Sequence, residues 1–312
     1  FDVYIEKDWI KLTFGTVSTL HYIVQAYTKE GEGVLINTPA YDPFAEAVVN
    51  NNRKLCCSSL KLDNNRYYLD LEDMENQMKY ENIRLLIFCS PQNPSGRIWT
   101  KEELYQVSEL CLKYNVILVS DEIHRDIIFK DYRFVSLWNA HPEIYKNSII
   151  CVSPNKGFNL GGLKTSYVLI RDVKIRETLL ERLKSNSITS PNVFAIPAIV
   201  AAYNESEEWL DAMTSYVEEN FEIVYDFFET NIPKAKVMKS DSSFLAWIDV
   251  REVFRNEEES KEFFRHANLT MVVGSYFVKD GDGFIRINVG CPRETLNEAL
   301  NRIKKTYISM YC

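Results

Sequence analysis

The residues that could do chemistry are densest in Ser153-Pro154-Asn155-Lys156-Gly157-Phe158-Asn159, which runs on into Leu160-Gly161-Gly162. The apolar run Ser148-Ile149-Ile150-Cys151-Val152 leads into it and is predicted to be a short buried strand. Pro154 stops that strand, because proline has no N–H for a ladder. Lys156 is thereby placed at the mouth of a sheet, where loops carry function. It is either a surface lysine in a Gly-rich turn or a lysine held in a partly desolvated site. In the second case its pKa falls, and the neutral amine can act as a nucleophile and form a Schiff base.

Other candidates fall after other apolar runs. Gly33 to Asn37, Leu85 to Cys89 and Val116 to Ser120 read as buried strands. Tyr41, Asn93 and Asp121 with His124 stand at or beyond their carboxyl ends. Asn93 lies between two prolines and a glycine, a rigid setting. Near the amino end, Gly15-Thr16-Val17-Ser18-Thr19 opens a periodic pattern through Leu20, Ile23, Val24 and Tyr27. It predicts a helix capped near Ser18 and ended at Gly31. Free N–H groups at such a helix start can hold a phosphate. Together these residues are the parts list for a bound aromatic phosphate aldehyde. Asp121 would keep a pyridine nitrogen protonated, so that the ring acts as an electron sink. Asn93 would hydrogen-bond the ring oxygen and Tyr41 would lie on the ring face. The helix start at Thr16 and Val17 would take the phosphate, with Ser153 and Lys164 adding contacts. Taken singly, each has an ordinary alternative: Asp121 capping a turn, Asn93 in a turn, Tyr41 in packing, His124 in the core.

The elements that must position them alternate strand and helix. Thr100-x-x-Glu103 forms a capping box for a helix to Lys113, and Thr165 to Ile170 reads as a further strand. That order predicts a mainly parallel sheet covered on both faces. From Val173 the pattern turns helical, and the polar break Asn204-Glu205-Ser206-Glu207-Glu208 marks a boundary between lobes. A helix from Trp209 to Thr230, strands at Ser243 to Ile248 and Phe284 to Asn288, a helix at Glu257 to His266 and one from Glu294 follow as a smaller α+β lobe. The expected division is residues 1–203 and 204–312.

Composition narrows the class. The 312 residues carry a formal net charge of −8, which argues against a nucleic-acid backbone as partner. No apolar run reaches the roughly 20 residues that span a bilayer. Seven cysteines (Cys56, Cys57, Cys89, Cys111, Cys151, Cys291, Cys312) form no Cys-x-x-Cys pair, and four histidines lack metal-ligand spacing. A cytoplasmic, metal-free protein without membrane segments is expected.

The chain resembles the fold-type I pyridoxal-phosphate enzymes of aminotransferase class I and II, and within them the MalY/PatB-type cystathionine β-lyase branch. The resemblance covers nearly the whole chain. It rests on Thr38-Pro39-Ala40-Tyr41, Ser90-Pro91-Gln92-Asn93-Pro94-Ser95-Gly96-Arg97, Ser120-Asp121-Glu122-Ile123-His124-Arg125-Asp126, Lys156-Gly157-Phe158-Asn159-Leu160-Gly161-Gly162 and Phe284-Ile285-Arg286-Ile287-Asn288. It implies an α/β, aspartate-aminotransferase-like fold, with a large domain on a mainly parallel seven-stranded sheet and a smaller α+β C-terminal domain. It implies pyridoxal 5'-phosphate as cofactor, Lys156 as the Schiff-base lysine, Asp121 at the pyridine nitrogen, Asn93 at the ring hydroxyl and Tyr41 stacked on the ring. Arg286 is the implied clamp on the substrate α-carboxylate, where a bidentate guanidinium suits a carboxylate. Asn155 stands where the family usually has serine. His124 stands where related aminotransferases often carry tyrosine, and Asp-Glu-Ile-His favours the lyase branch.

The resemblance further implies a homodimer and an amino-acid substrate. Family members carry several tens of residues before the equivalent of Phe1, with part of the small lobe and a tyrosine that reaches the partner's cofactor phosphate. A complete large lobe and an incomplete small one are therefore expected here, with apolar surface uncovered and the pocket open on one side. The expected activity is cleavage of cystathionine or other cysteine S-conjugates to thiol, pyruvate and ammonia. An aminotransferase is the alternative of the same chemistry, and a non-catalytic binding or regulatory protein the alternative of another class.

Overall fold

The structure is a computed structural model and describes residues 3–311, so Phe1, Asp2 and Cys312 lie outside the described residues. Strand β1 (Ile10–Thr13) leads into helix α1 (Thr16–Tyr27). Then come β2 (Gly33–Thr38), α2 (Pro43–Val49), β3 (Lys54–Ser59), the hairpin β4 (Lys61–Asp63) and β5 (Arg66–Tyr68), and α3 (Leu71–Tyr80). The chain continues through β6 (Ile83–Cys89), α4 (Lys101–Lys113), β7 (Ile117–Asp121), α5 (Leu137–Ala140), β8 (Ser148–Val152) and β9 (Ser166–Leu169). Helices α6 (Val173–Ser185), α7 (Ala195–Glu205) and α8 (Glu207–Asn231) follow. The last elements are β10 (Lys236–Val237), β11 (Leu245–Asp249), α9 (Glu257–His266), β12 (Val272–Val273), β13 (Phe284–Asn288) and α10 (Arg293–Tyr311).

Seven strands form one sheet in the order β1-β9-β8-β7-β6-β2-β3. The run from β3 to β8 is parallel, whereas β9 pairs antiparallel with both β8 and β1. The fold is thus the expected aspartate-aminotransferase-like α/β sheet. The central strands carry near-continuous apolar runs because both faces are covered. Leu35, Leu86, Leu118 and Ile150 pack on one side, and Val34, Ile36, Leu85, Ile87, Val119 and Ile149 on the other. A second, four-stranded sheet, β10-β11-β13-β12, shares a core with α8, α9 and α10. The capping box at Thr100 and Glu103 is present at the start of α4. Helix α1 differs from the sequence expectation: its N-cap is Gly15, not Ser18. Ser18 lies in the first turn, where its hydroxyl donates back to the carbonyls of Phe14 and Gly15.

One segment sews the two sheets together. Asp241 is fully buried; its carboxylate takes a bidentate pair from Arg66 (2.8 and 2.7 Å) and the Ile98 N–H (3.0 Å). Its backbone N–H donates to Gly96 O, its carbonyl accepts from Phe129 N, and Ser243 N donates to Ile127 O. Gly96 has φ +71°, and a side chain there would fall 1.9 Å from Ser240 Oγ. Only glycine lets these loops meet so closely. The loops after β6 and β7 are therefore tied to the edge of the small sheet.

Candidate active site

The loops at the carboxyl ends of β2, β6, β7 and β8, with the start of α1, surround a cleft of about 1070 Å³. Thr16, Val17, Tyr41, Asn93, Asp121, His124, Asn155, Lys156, Lys164 and Arg286 all line it. Ser153 does not. It is fully buried, its hydroxyl donates to Thr165 O, and it accepts the Asn155 N–H at 3.1 Å. Its contribution is to shape the turn that carries Lys156.

That turn is closed by Phe158 N to Pro154 O (2.9 Å) and Leu160 N to Asn155 O (3.1 Å). Gly157 lies flat on Asp126; a Cβ there would approach Asp126 Cβ to 2.9 Å. Burial pulls the Lys156 pKa below its usual value, the Arg286 charge pulls it further, and Asp121 pulls back. Asp121 is the last residue of β7, accepts the Ile123 N–H at 3.2 Å, and is pushed up to about 7 by burial. Such a carboxyl is held for a cationic partner that would ionise it. His124 is driven down to about 3 by burial and then by Lys156 and Arg286, so its ring is neutral. Behind these residues, fully buried Glu122 takes hydrogen bonds from Ser136 Oγ and Leu137 N (both 3.1 Å), which anchors the loop.

In the same cleft, α1 presents the unpaired N–H groups of its first turn; the first N–H to reach back is Thr19, to Gly15 O. Lys164, in the left-handed region at φ +52°, packs its side chain over Gly15, with Cβ and Cδ each 3.9 Å from where a Gly15 Cβ would lie. A helix start plus an ammonium is an anion cradle. Asn155 Oδ1 in the cleft wall is buried without a partner, an orphan of the kind a ligand satisfies.

Arg286 on β13 enters from the small sheet. Its Nη1 donates to Asn93 Oδ1 at 3.1 Å, and its guanidinium lies 4.9 Å from the Phe277 ring centre. Asn93 is therefore linked to Arg286 as well as facing the cleft. Tyr41 is half-buried and edge-on to Phe44, with ring centres 6.0 Å apart. Sequence reasoning missed Phe244, whose ring centre is 5.9 Å from Lys156 Nζ and 6.0 Å from the His124 ring. It also missed Trp209, Met213 and Tyr216 of α8 on the same wall. They read as ordinary helix and strand residues, because only the packing of the two sheets brings them to the cleft.

The profile of the family described as "Aminotransferase class I and II" matches residues 5–303. Cystathionine beta-lyase PatB of Bacillus subtilis is 34% identical over 301 residues, covering 96% of this chain and 78% of the relative. Protein MalY of Escherichia coli is 30% identical over 286 residues, covering 89% and 71%. The crystal structure of cystalysin from Treponema denticola, described as containing a pyridoxal 5'-phosphate cofactor, superposes with a TM-score of 0.96 at 33% identity, over 98% of this chain and 78% of that one. With a profile match across nearly the whole chain, a superposable fold and a lysine–aspartate–arginine cleft at the strand ends, this protein belongs to the class I and II aminotransferase family.

Proposed function

We propose that the chain is a pyridoxal-phosphate-dependent carbon–sulfur β-lyase acting on cystathionine or other cysteine S-conjugates. The observation that carries the reading is the convergence of Lys156, Asp121 and Arg286 on one cleft that also holds an anion cradle. The donor set suits the cofactor: a carboxyl for a ring nitrogen, the α1 start and Lys164 for a phosphate, an amine for an aldehyde. When bound, the cofactor supplies a sink for the electron pair left by the α-proton, so that a sulfur substituent on the β-carbon leaves as thiolate. Lys156, its pKa lowered by burial, would hold the cofactor's aldehyde carbon and, once the substrate amine has displaced it, would move the proton at the substrate α-carbon. Asp121 would hold the ring nitrogen charged and Asn93 would orient the ring oxygen. Arg286, itself steadied by Asn93 and Phe277, clamps the α-carboxylate. The names of PatB and cystalysin's cofactor support the same reading.

Cystathionine given to the cofactor-loaded protein without any keto acid is the test. Pyruvate and ammonia should appear in equal amounts. Amino transfer that needs an added keto acid, with no pyruvate from cystathionine alone, would show an aminotransferase instead. Neither reaction in a loaded protein would leave a binding or regulatory role.

The same reading assigns residues 1–203 to the cofactor-binding lobe and 204–312 to the small lobe. It places the protein in the cytoplasm, supported by the free thiols of the six described cysteines. No helix among the described residues is long and apolar enough to cross a membrane. A homodimer is part of it as well. Val193, Phe194, Ile196 and Val200, at and beside α7, are 79, 66, 51 and 47% exposed, an apolar face suited to a second copy. Phe194→Asp should shift the sedimenting species from dimer to monomer. A wild-type chain that sediments as a monomer at micromolar concentration removes the dimer from the reading.

A further inference from the structure

Ser243 lies in the segment that ties the two sheets, immediately before Phe244 and β11. Its φ is +75°, in the left-handed region, where serine is uncommon and glycine or asparagine is relaxed. The conformation is held from both sides: Ser243 N donates to Ile127 O at 3.0 Å, and Ser242 bridges Ile128. The result is that Ser243 Oγ sits 3.3 Å from His124 Nδ1, and both residues are 3% exposed. A strained backbone that delivers a hydroxyl to a cleft histidine points to a role for that hydroxyl.

We propose that Ser243 is a positioning residue for His124: its hydroxyl donates to Nδ1 and holds the ring as the tautomer whose Nε2–H is free to donate to a ligand in the cleft. Two facts set the direction of this bond. Ser243 Oγ has no second partner among the described residues, so accepting from His124 would leave a buried O–H without an acceptor. The ring is neutral and carries one N–H, so a proton taken by Nε2 leaves Nδ1 as the acceptor that Ser243 needs. A neutral donor in a buried cleft stabilises negative charge as it forms on a ligand atom. The tautomer is a property of the ligand-free chain. Only the kinetic consequence rests on the function proposed above.

The test uses the full chain and two variants. Ser243→Gly removes the hydroxyl while suiting the backbone, and Ser243→Asn restores a donor in a residue that tolerates positive φ. Nitrogen NMR of ¹⁵N-histidine-labelled, ligand-free protein, with His124 assigned by its loss in His124→Gln, should show Nδ1 unprotonated and Nε2 protonated in the wild type. Ser243→Gly should give a mixture, and Ser243→Asn should return the wild-type pattern. In the cofactor-loaded enzyme Ser243→Gly should lose on the order of tenfold in kcat with KM nearly unchanged, and Ser243→Asn should regain most of it. A wild-type ring protonated at Nδ1 overturns the proposal, and so does an unaltered tautomer in Ser243→Gly, whatever its rate. The expected tautomers together with no lyase activity in the wild type would sink the functional reading and leave this one standing.

Discussion

Lys156→Ala is expected to lose turnover by about 10⁴-fold while the protein stays folded. On the function proposed above two roles would disappear together, the amine for the aldehyde and the base for the α-proton, so no neighbour compensates. The fold should survive because the turn is closed by backbone bonds, Phe158 N to Pro154 O and Leu160 N to Asn155 O, and by Gly157 against Asp126. None of these uses the lysine side chain. Borohydride reduction of the loaded wild type followed by peptide mapping should place the adduct on Lys156, and the variant should carry none. An adduct on another lysine, or a variant within tenfold of wild-type turnover, would refute the assignment. In the ligand-free wild type, the rate of aldehyde capture should also rise with pH at a lower midpoint than an ordinary lysine shows. Burial and the Arg286 charge both favour the neutral amine.

Asp121→Ala is expected to cost about 10²-fold or more in kcat, with the aldehyde still captured by Lys156. The carboxyl sits at the end of β7, is 5% exposed, and is held near pH 7 by burial, so a pyridinium beside it would ionise it and keep its own proton. Without that counter-charge a pyridine nitrogen at this place would lose its proton, and the cofactor would supply a weaker electron sink. The sign of a second effect separates this from general damage. Asp121 raises the Lys156 pKa, so its removal should move the capture midpoint of Lys156 to lower pH. The effect should grow as the pH rises through about 7, where the wild-type carboxyl becomes ionised. Near-normal turnover, or a capture midpoint displaced upward, would show that the pyridine nitrogen lies elsewhere.

Much of this site was legible because its residues follow strands. A parallel sheet buried on both faces requires continuous apolar runs, and those runs end abruptly at polar loops. Tyr41, Asn93, Asp121 and Lys156 could therefore be placed at one edge without any distance. The helix at Thr16 was legible for the same reason, although its cap was not. Ser18 has the right type for a cap but sits one turn too far in, and Gly15 reaches the required backbone without a side-chain bond. Ser153 was misplaced by proximity alone. Three residues before the lysine on a strand end, it points into the turn and satisfies Thr165 O.

What the amino-acid sequence determined by itself is local and periodic: the long apolar strands, the helices with a clear period, the glycine and proline breaks, and the reactive side chains set at them, whereas the short strands β4, β5, β10 and β12 carried no such signal. Each of these depends on neighbours within a few residues, which the sequence displays directly. What only the tertiary structure decided is everything across the seam between the two sheets. Arg286 and Asn93 are 193 residues apart and share a hydrogen bond of 3.1 Å, and Ser243 and His124 are 119 apart and meet at 3.3 Å. Phe244 reaches Lys156, and Asp241 binds Arg66 and Ile98, for the same reason. No periodicity encodes such pairs. They exist because Gly96 lets two loops touch, and because burial makes each polar group find whichever partner the packing brings to it.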